Sequence, residues 1–216
     1  MRARKPKQYL KVGGRSLIEH SLDALLKLKW IEGVVVVLAR ADRTFARLTI
    51  SRNKRIHTAI GGASRADSVL AGLKRLTGLA GGEKIYVLVH DAARPCVTRT
   101  DIEKLRDEAS DDHGGLLATP IADTVKRAES HCIRETVDRR ELWAAQTPQM
   151  FRADLLRAAL EDAAARAVEI TDEAAAMELI GKRPRLVQGR KSNIKVTYPE
   201  DLALAGFWLE RKESQR

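Results

Sequence analysis

Two charged side chains that directly follow an apolar run are the first candidates for chemistry in this sequence. The run from Ile85 to Val89 is apolar or aromatic throughout, and Asp91 and Arg94 follow it closely. Ligands of open α/β sheets bind beyond the carboxyl ends of the strands. We therefore predict a strand buried on both faces at 85–89, with Asp91 as the first candidate site residue. The alternative is that Asp91 caps a turn and Arg94 is a solvated surface charge.

A pair of glycines is the second candidate. Gly61 and Gly62 follow a predicted strand at 55–60 and precede a predicted helix with leucines at 70, 73 and 76 on its core face. Glycine lets the backbone approach a ligand closely, and the first amides of a helix favour an anion or another acceptor. A Gly-Gly turn alone is a weak motif, so it indicates a ligand site only together with other residues.

These candidates need a framework of alternating strands and helices. Ser16 with Glu19 has the pattern of a capping box that begins a helix, and the β-branched run 33–38 predicts a buried strand. Thr100 with Glu103 predicts a second cap, and Thr171 a third. The order of strands and helices predicts the α/β fold class.

The segment 123–151 has a different texture, with short alternating stretches separated by polar turns. We interpret this segment as a β-arm inserted into a single domain that spans residues 1–216, because neither an internal repeat nor a linker is visible. An isolated hairpin is only marginally stable in water. The arm is therefore expected to pack against another subunit or against the main sheet.

Composition restricts the class of partner. The 39 Lys and Arg residues against 29 Asp and Glu give a net charge of +10, which favours nucleic acid, nucleotides or phosphorylated metabolites. Aromatic residues make up only 4% of the chain, so few could stack on single-stranded nucleic acid. Cys96 and Cys132 lack metal-ligand spacing. No apolar run is long enough to span a membrane and no secretory signal is visible, so a cytoplasmic location without a membrane partner is expected.

Seven segments, taken together and in order, resemble one family. They are PKQYL, GG-x-x-RADSVLAGL, VLVHDAARP, a DT-x-KRA and TVDR pair, LW-x-A-QTPQ-x-F, ITDEA and NIKVT-x-PEDL. The sequence is similar in these segments to the 2-C-methyl-D-erythritol 4-phosphate cytidylyltransferases of non-mevalonate isoprenoid synthesis. The likeness extends over nearly the whole chain.

The resemblance implies a fold, a reaction and an assembly. The fold is a Rossmann-like, GT-A-like nucleotidyltransferase, a three-layer αβα sandwich with an inserted β-arm. The reaction is the Mg²⁺-dependent transfer of CMP from CTP to the phosphate of methylerythritol phosphate, with release of pyrophosphate. Such a transfer needs in-line positioning and positive charge, but no protein nucleophile. The assembly is a homodimer joined by the arms, without nucleic acid.

The resemblance also implies a set of site residues. The groups expected at the reacting phosphates are Lys7, Lys195 and Asp91. Those expected around the nucleotide are Gly62, Arg65, Ser68, Asp91 and Ala92. Those expected to bind the methylerythritol phosphate are Arg94, Arg152, Thr171 and, from the partner's arm, Thr136. Which subunit supplies Arg152 stays open. No protein metal ligand is assigned beyond Asp91, because the triphosphate itself would hold most of the Mg²⁺, and His90 is expected to be structural.

One departure from the family pattern concerns the phosphate cradle. Members of the family carry a Gly-rich loop of the type AAG-x-G-x-R well ahead of PKQYL, whereas here Met1 lies just before Pro6. We expect the natural protein to be longer, and residues 1–216 alone to bind CTP poorly and turn over little. Three alternatives stay open: an enzyme for another polyol phosphate such as ribitol 5-phosphate, an inactive shortened form, and a non-catalytic polyanion-binding domain.

Overall fold

A computed structural model describes residues 6–79 and 84–214 of the chain, so the expectation about Met1 lies outside the described residues. The helices are α1 (Leu17–Leu26), α2 (Arg65–Thr77), α3 (Arg99–Glu108), α4 (Ala153–Ala165), α5 (Glu173–Leu179) and α6 (Pro199–Ser214). The strands are β1 (Lys11–Val12), β2 (Arg15–Ser16), β3 (Val34–Leu38), β4 (Ile56–Ile60), β5 (Tyr86–Val89), β6 (Gly115–Pro120), β7 (Val125–Glu129), β8 (Cys132–Val137), β9 (Trp143–Arg152) and β10 (Arg185–Gln188). Within the described ranges, no helix has both the length and the apolar character that a membrane crossing requires.

The main sheet has four strands in the order β10-β6-β9-β5. Strand β10 is parallel to β6, while β9 runs antiparallel to both β6 and β5. A separate parallel pair consists of β3 and β4. Within the described ranges, the second edge of β3 and the second edge of β5 pair with no strand. The four-stranded main sheet and the β3–β4 pair are thus separate in the described residues.

Helices cover both faces of the main sheet. Neighbouring residues on β6 belong to different cores, Leu117 to one that includes α1 and α3, and Leu116 to one that includes α2, α4 and α5. Successive side chains of a strand point to opposite faces, so the two leucines mark the two layers of helices. This arrangement is the predicted three-layer αβα sandwich.

Strand β5 differs from the prediction. The sequence predicted five residues buried on both faces, but the strand has four residues, and only Val87 is fully buried. Tyr86 is exposed. The reason is its position at the edge of the main sheet, where β9 covers only one side. An apolar run alone does not distinguish a central strand from an edge strand.

The predicted arm at 123–151 is too long. The hairpin of β7 and β8 ends at Val137, and residues 143–152 form β9 inside the main sheet. The polar residues Gln146, Thr147 and Gln149, which the prediction placed in the arm, are buried in β9. Polar side chains can occupy such positions because hydrogen bonds satisfy them.

The helix caps follow the expected chemistry, with two shifts in position. Ser16 and Glu19 form the predicted capping box of α1. The cap of α3 is Thr98, whose hydroxyl accepts from the Asp101 amide, rather than Thr100. The cap of α5 is Asp172 rather than Thr171. Because Asp172 caps α5, the cap does not use the Thr171 hydroxyl.

Candidate functional site

Asp91 is the centre of a cluster of charges just beyond the carboxyl end of β5. Lys195 Nζ lies 2.8 Å from Asp91 Oδ2, Arg65 Nη2 lies 3.7 Å from Oδ1, and Arg94 Nε lies 3.9 Å from Oδ2. We call Asp91, Lys195, Arg65, Arg94 and Glu173 the Asp91 cluster. Four of the five were expected from the sequence, and the structure brings those four together.

The environment keeps Asp91 ionised. Burial alone would raise the pKa of its carboxyl, but the hydrogen bond and charge of Lys195, then the charges of Arg65 and His90, lower the pKa below its usual value. The carboxylate is 17% exposed and Lys195 is 42% exposed. A negative charge is therefore held at the edge of the sheet, with the more exposed ammonium of Lys195 beside it.

Arg65 is held by a carboxylate that the sequence did not reveal. Its Nη1 donates to Glu173 Oε1 at 2.6 Å and its Nη2 donates to Glu173 Oε2 at 2.9 Å, which is the two-bond fork of a strong ion pair. Glu173 is only 1% exposed, and burial raises its pKa while Arg65 opposes that rise. The two residues are 108 positions apart, so no local pattern signals the contact.

Arg94 is largely enclosed and binds two backbone carbonyls. Its Nη1 donates to the Asn193 carbonyl at 2.7 Å and its Nη2 to the Ala145 carbonyl at 3.3 Å. Burial lowers the pKa of Arg94, and Asp91 opposes this effect. Its Nε is buried without a hydrogen-bond acceptor and lies on the Asp91 side. Arg94 thus fastens the loop of Lys195 to β9 and directs one unused donor towards the site.

Strand β9 supplies a buried polar support that the sequence placed in the arm. Gln149 donates through Nε2 to Asp172 Oδ2 at 2.9 Å and accepts from the Ala174 amide at 2.9 Å. Thr147 Oγ1 accepts from the Asp91 amide at 3.0 Å. Thus a single strand holds the start of α5 and the turn after β5.

The same strand also holds the loop that carries Lys195. Asn193 is fully buried, and its Nδ2 donates to Gln146 Oε1 at 3.2 Å and to the Thr147 carbonyl at 2.9 Å. Gln146 Nε2 in turn donates to the Arg190 carbonyl at 3.1 Å. Three loops of the site therefore share one rigid base.

Close packing against α2 explains why Gly61 and Gly62 are glycines. A Cβ on Gly62 would lie 2.3 Å from the Asp67 Cβ, and one on Gly61 would lie 2.7 Å from the Ser68 Oγ. Ser68 Oγ donates to the Ser64 carbonyl at 2.9 Å. The turn thus lies directly against the first turn of α2, the element that also begins with Arg65. Gly62, Ser68 and Arg65 therefore belong to one local unit.

Lys7 and Ala92 lie on connected elements. Lys7 begins a short 3₁₀ turn that ends at Tyr9, and Tyr9 packs in the same hydrophobic cluster as Ala92. The Ala92 carbonyl accepts from Ser21 Oγ at 3.0 Å. The Lys7 side chain is exposed. Among the described residues, the ion pairs of Asp91 are with Arg65, Arg94 and Lys195 and do not include Lys7.

His90 has the structural role expected from the sequence. Its Nε2 is 3.1 Å from the Arg94 carbonyl, and its Nδ1 is 3.1 Å from Thr147 Oγ1. Both ring nitrogens are therefore engaged with the protein. The ring supports the turn that carries Asp91.

Arg152 does not join the Asp91 cluster of its own chain. In the antiparallel register Arg152 pairs with Tyr86, at the other end of β5 from Asp91. Five residues of strand separate it from Thr147, which is about 16 Å. Its guanidinium binds Asp112 at 2.7 Å and Asp154. We call these three residues the Arg152 cluster.

The two predicted threonines have different surroundings. Thr171 is exposed and immediately precedes Asp172 and Glu173, so its backbone is adjacent to the Asp91 cluster. Thr136 is exposed on β8, and Lys126 Nζ on β7 donates to its hydroxyl at 2.6 Å. Thr136 therefore belongs to the hairpin and lies apart from the residues that contact Asp91.

The donor set suits a divalent cation that is mostly bound by phosphate. Residues 6–79 and 84–214 contain no group of three or more His, Cys, Asp or Glu side chains that could hold a metal ion. Mg²⁺ typically takes one or two carboxylates and completes its octahedral shell with water and phosphate oxygens. The single carboxylate of Asp91 fits this arrangement, provided that Lys195 releases its Oδ2.

Comparison with known proteins agrees with this geometry. A family model described as 2-C-methyl-D-erythritol 4-phosphate cytidylyltransferase matches residues 1–211. A protein of that name from Ectopseudomonas mendocina is 50% identical over 214 residues, covering 98% of this chain and 91% of the relative. One from Vibrio vulnificus is 49% identical over 218 residues, covering 100% of this chain and 92% of the relative.

Solved structures share the fold. A crystal structure of a 4-diphosphocytidyl-2C-methyl-D-erythritol synthase has a TM-score of 0.85 at 41% identity, with 94% of each chain covered. The cytidylyltransferase from Thermus thermophilus has a TM-score of 0.81 at 30% identity, covering 95% of this chain and 94% of the other. These values confirm the predicted Rossmann-like nucleotidyltransferase fold. The chain belongs to the 2-C-methyl-D-erythritol 4-phosphate cytidylyltransferase family.

Proposed function

We propose that this protein transfers CMP from CTP to 2-C-methyl-D-erythritol 4-phosphate, giving 4-diphosphocytidyl-2-C-methyl-D-erythritol and pyrophosphate for isoprenoid precursor synthesis. The observation that supports this most directly is the Asp91–Lys195 ion pair at 2.8 Å, flanked by Arg65 and Arg94 at the carboxyl end of β5. Membership of the family supports CTP as the nucleotide and methylerythritol phosphate as the acceptor. The +10 net charge suits two anionic substrates.

The reaction requires positioning rather than a protein nucleophile. An oxygen of the acceptor phosphate attacks the α-phosphorus of CTP, and the bond from that phosphorus to the bridging oxygen breaks as pyrophosphate leaves. Lys195 is exposed enough to turn from Asp91 towards the reacting phosphates, where negative charge accumulates. Lys7, at the start of its 3₁₀ turn, is proposed to contact the triphosphate.

A divalent cation, proposed to be Mg²⁺, would neutralise charge on the triphosphate when bound. Asp91 would be its protein ligand, as its lowered pKa keeps the carboxyl ionised at neutral pH. The turn of Gly62 and Ser68 would contact the cytosine, supported by Arg65, and Ala92 would lie beside the nucleotide. Arg94 and Thr171 would bind the acceptor phosphate, since both lie next to the Asp91 cluster.

We propose further that the chain is a homodimer joined by its hairpins, each of which brings Thr136 to the partner's site. The support is the exposure of the hairpin: Ile133 is 68% exposed, and β8 is exposed from Cys132 to Thr136. An exposed two-stranded hairpin gains stability when a partner covers it. A mixture of Thr136→Ala and Lys195→Ala proteins should recover part of the activity that each lacks, whereas no recovery would assign each hairpin to its own chain.

The activity is tested by pyrophosphate release from the protein expressed from its complete natural gene. We expect release with CTP, Mg²⁺ and methylerythritol phosphate, and little with ribitol 5-phosphate. Turnover with ribitol 5-phosphate but not with methylerythritol phosphate would show that the acceptor is another polyol phosphate. Steeply salt-dependent RNA or DNA binding without any response to CTP would favour a polyanion-binding domain instead.

A further inference from the structure

Glu173 is the least exposed charged residue of the Asp91 cluster, and the proposed reaction leaves it without a role. It is 1% exposed, and it occupies the first turn of α5. Its two oxygens accept the two Nη groups of Arg65 at 2.6 and 2.9 Å. A fully buried carboxylate whose oxygens both bind one arginine fixes the position of that arginine.

Arg65 occupies a position that is electrostatically unfavourable without Glu173. It is the first residue of α2, where the helix dipole disfavours a cation. Glu173 is the first residue of α5, where the dipole favours an anion. The fork therefore gives Arg65 the negative charge that its own helix end does not provide.

The fork also sets how strongly Arg65 acts on Asp91. Arg65 Nη2 is 3.7 Å from Asp91 Oδ1, beyond hydrogen-bond distance, while Lys195 is at 2.8 Å. The guanidinium is 36% exposed, so it has space to move. Without Glu173, its nearest anion would be Asp91 at 3.7 Å, and a closed Arg65–Asp91 pair would occupy the carboxylate that the reaction needs.

We propose that Glu173 is a positioning residue for nucleotidyl transfer, which restrains Arg65 so that its charge faces Asp91 without pairing with it. The proposal deepens the proposed function and rests on it. Glu173 acts through Arg65 and touches no reacting atom. Its removal should therefore lower kcat more than it raises the KM for CTP, and the loss should depend on Arg65.

The test compares Glu173→Gln, Arg65→Met and the double variant in the protein expressed from its complete natural gene. We expect Glu173→Gln to lower kcat about 30-fold with the KM for CTP within about threefold of wild type. Arg65→Met should lower kcat about fivefold or less, because a neutral Glu173 is compatible with its buried position and Asp91 keeps Lys195. The double variant should recover to the level of Arg65→Met, since it lacks the misdirected cation.

A purely structural fork predicts a different pattern. Glu173→Gln and Arg65→Met would then lose similar activity, and the double variant would be no better than Glu173→Gln when all are assayed below their unfolding transitions. That pattern, or Glu173→Gln with kcat within twofold of wild type, overturns the proposal. If wild type itself releases no pyrophosphate, the proposed function fails instead, so the two failures are distinct.

Arg65→Lys provides the decisive variant if Glu173→Gln does not fold. Lysine keeps the charge but cannot bind both carboxylate oxygens in one plane, so it is restrained less. We expect Arg65→Lys to have a kcat about threefold or more below that of Arg65→Met. A kcat for Arg65→Lys equal to or above that of Arg65→Met contradicts the proposal.

Discussion

Two clusters of arginines and carboxylates lie at opposite ends of β5 and β9, and they are built in opposite ways. In the Asp91 cluster, one carboxylate is approached by three cations at 2.8, 3.7 and 3.9 Å. In the Arg152 cluster, one guanidinium is shared by two carboxylates, and Asp112 and Asp154 are exposed. The first cluster concentrates cations around an anion; the second surrounds a cation with anions.

The difference distinguishes a cluster that keeps hydrogen-bond donors for a phosphate from one whose arginine is paired within the cluster. Lys195 and the Nε of Arg94 keep donor capacity towards the Asp91 side, and neither is saturated by side-chain carboxylates. Arg152 donates to both of its aspartates, and their hydrogen bonds raise its pKa. An arginine that already binds two carboxylates is less available to a substrate phosphate than one whose Nε has no acceptor.

The largest expected effect is loss of turnover when Asp91 or Lys195 is replaced. Asp91→Asn and Lys195→Ala should each lower kcat about 100- to 1,000-fold, because Asp91 is the proposed ligand of the divalent cation and Lys195 brings positive charge to the reacting phosphates. Pyrophosphate release at saturating CTP measures this effect. Lys191→Ala, a substitution of an exposed lysine on the same loop, is the matched control and should stay within about twofold. If Lys191→Ala and Lys195→Ala lowered kcat equally, the loss would come from general surface charge and not from the position of Lys195.

The next effect concerns the strand that connects the two ends. Gln149→Leu leaves the buried amide of Ala174 without its acceptor, so we expect a loss of about 1–3 kcal/mol in the free energy of unfolding. Urea denaturation followed by circular dichroism measures it. Gln188→Leu, at an exposed position of β10, is the control and should change stability by about 0.5 kcal/mol or less. A smaller change for Gln149→Leu than for the control would show that β9 does not support the site.

A smaller effect is expected at the Arg152 cluster. Arg152→Ala should change kcat and the KM for methylerythritol phosphate by about threefold or less, because exposed ion pairs contribute little and the site is about 16 Å away. Steady-state kinetics with both substrates test this. A tenfold rise in that KM would place Arg152 at the substrate through another chain and would remove the contrast between the two clusters.

The smallest effect is a pH dependence of stability. The native state lowers the pKa of Asp91, so its contribution to stability is present above the unfolded pKa of about 3.9 and is lost as the pH falls through the native pKa. The difference in unfolding free energy between wild type and Asp91→Asn should thus be constant from about pH 5 to 8 and shrink below about pH 4. A difference that grows on acidification would mean that the native state raises the pKa of Asp91 instead of lowering it.

Local chemistry in the sequence predicted much of the framework. The capping box of Ser16 and Glu19 located α1, and the β-branched run 33–38 located β3. The family motifs identified Asp91, Arg94, Arg65 and Lys195 as neighbours, and the structure confirms that they lie together.

The errors arose where position depends on contacts distant in sequence. Strand register, which motif order does not give, places Arg152 at the end of β5 away from the Asp91 cluster of its own chain. Gln146 and Gln149 were assigned to the arm because their places in the main sheet depend on partners in other loops. Glu173 was missed because its partner is 108 residues away.

The shared support on β9 has a consequence for how this sequence can diverge. Because Gln146, Thr147 and Gln149 each bind a different loop, the tips of those loops can change one at a time while their bases stay in register. A substitution in the QTPQ segment, by contrast, disturbs several loops at once. In a deep mutational scan, the most intolerant positions outside the charged residues should therefore lie within this segment, where Gln146, Thr147 and Gln149 are buried.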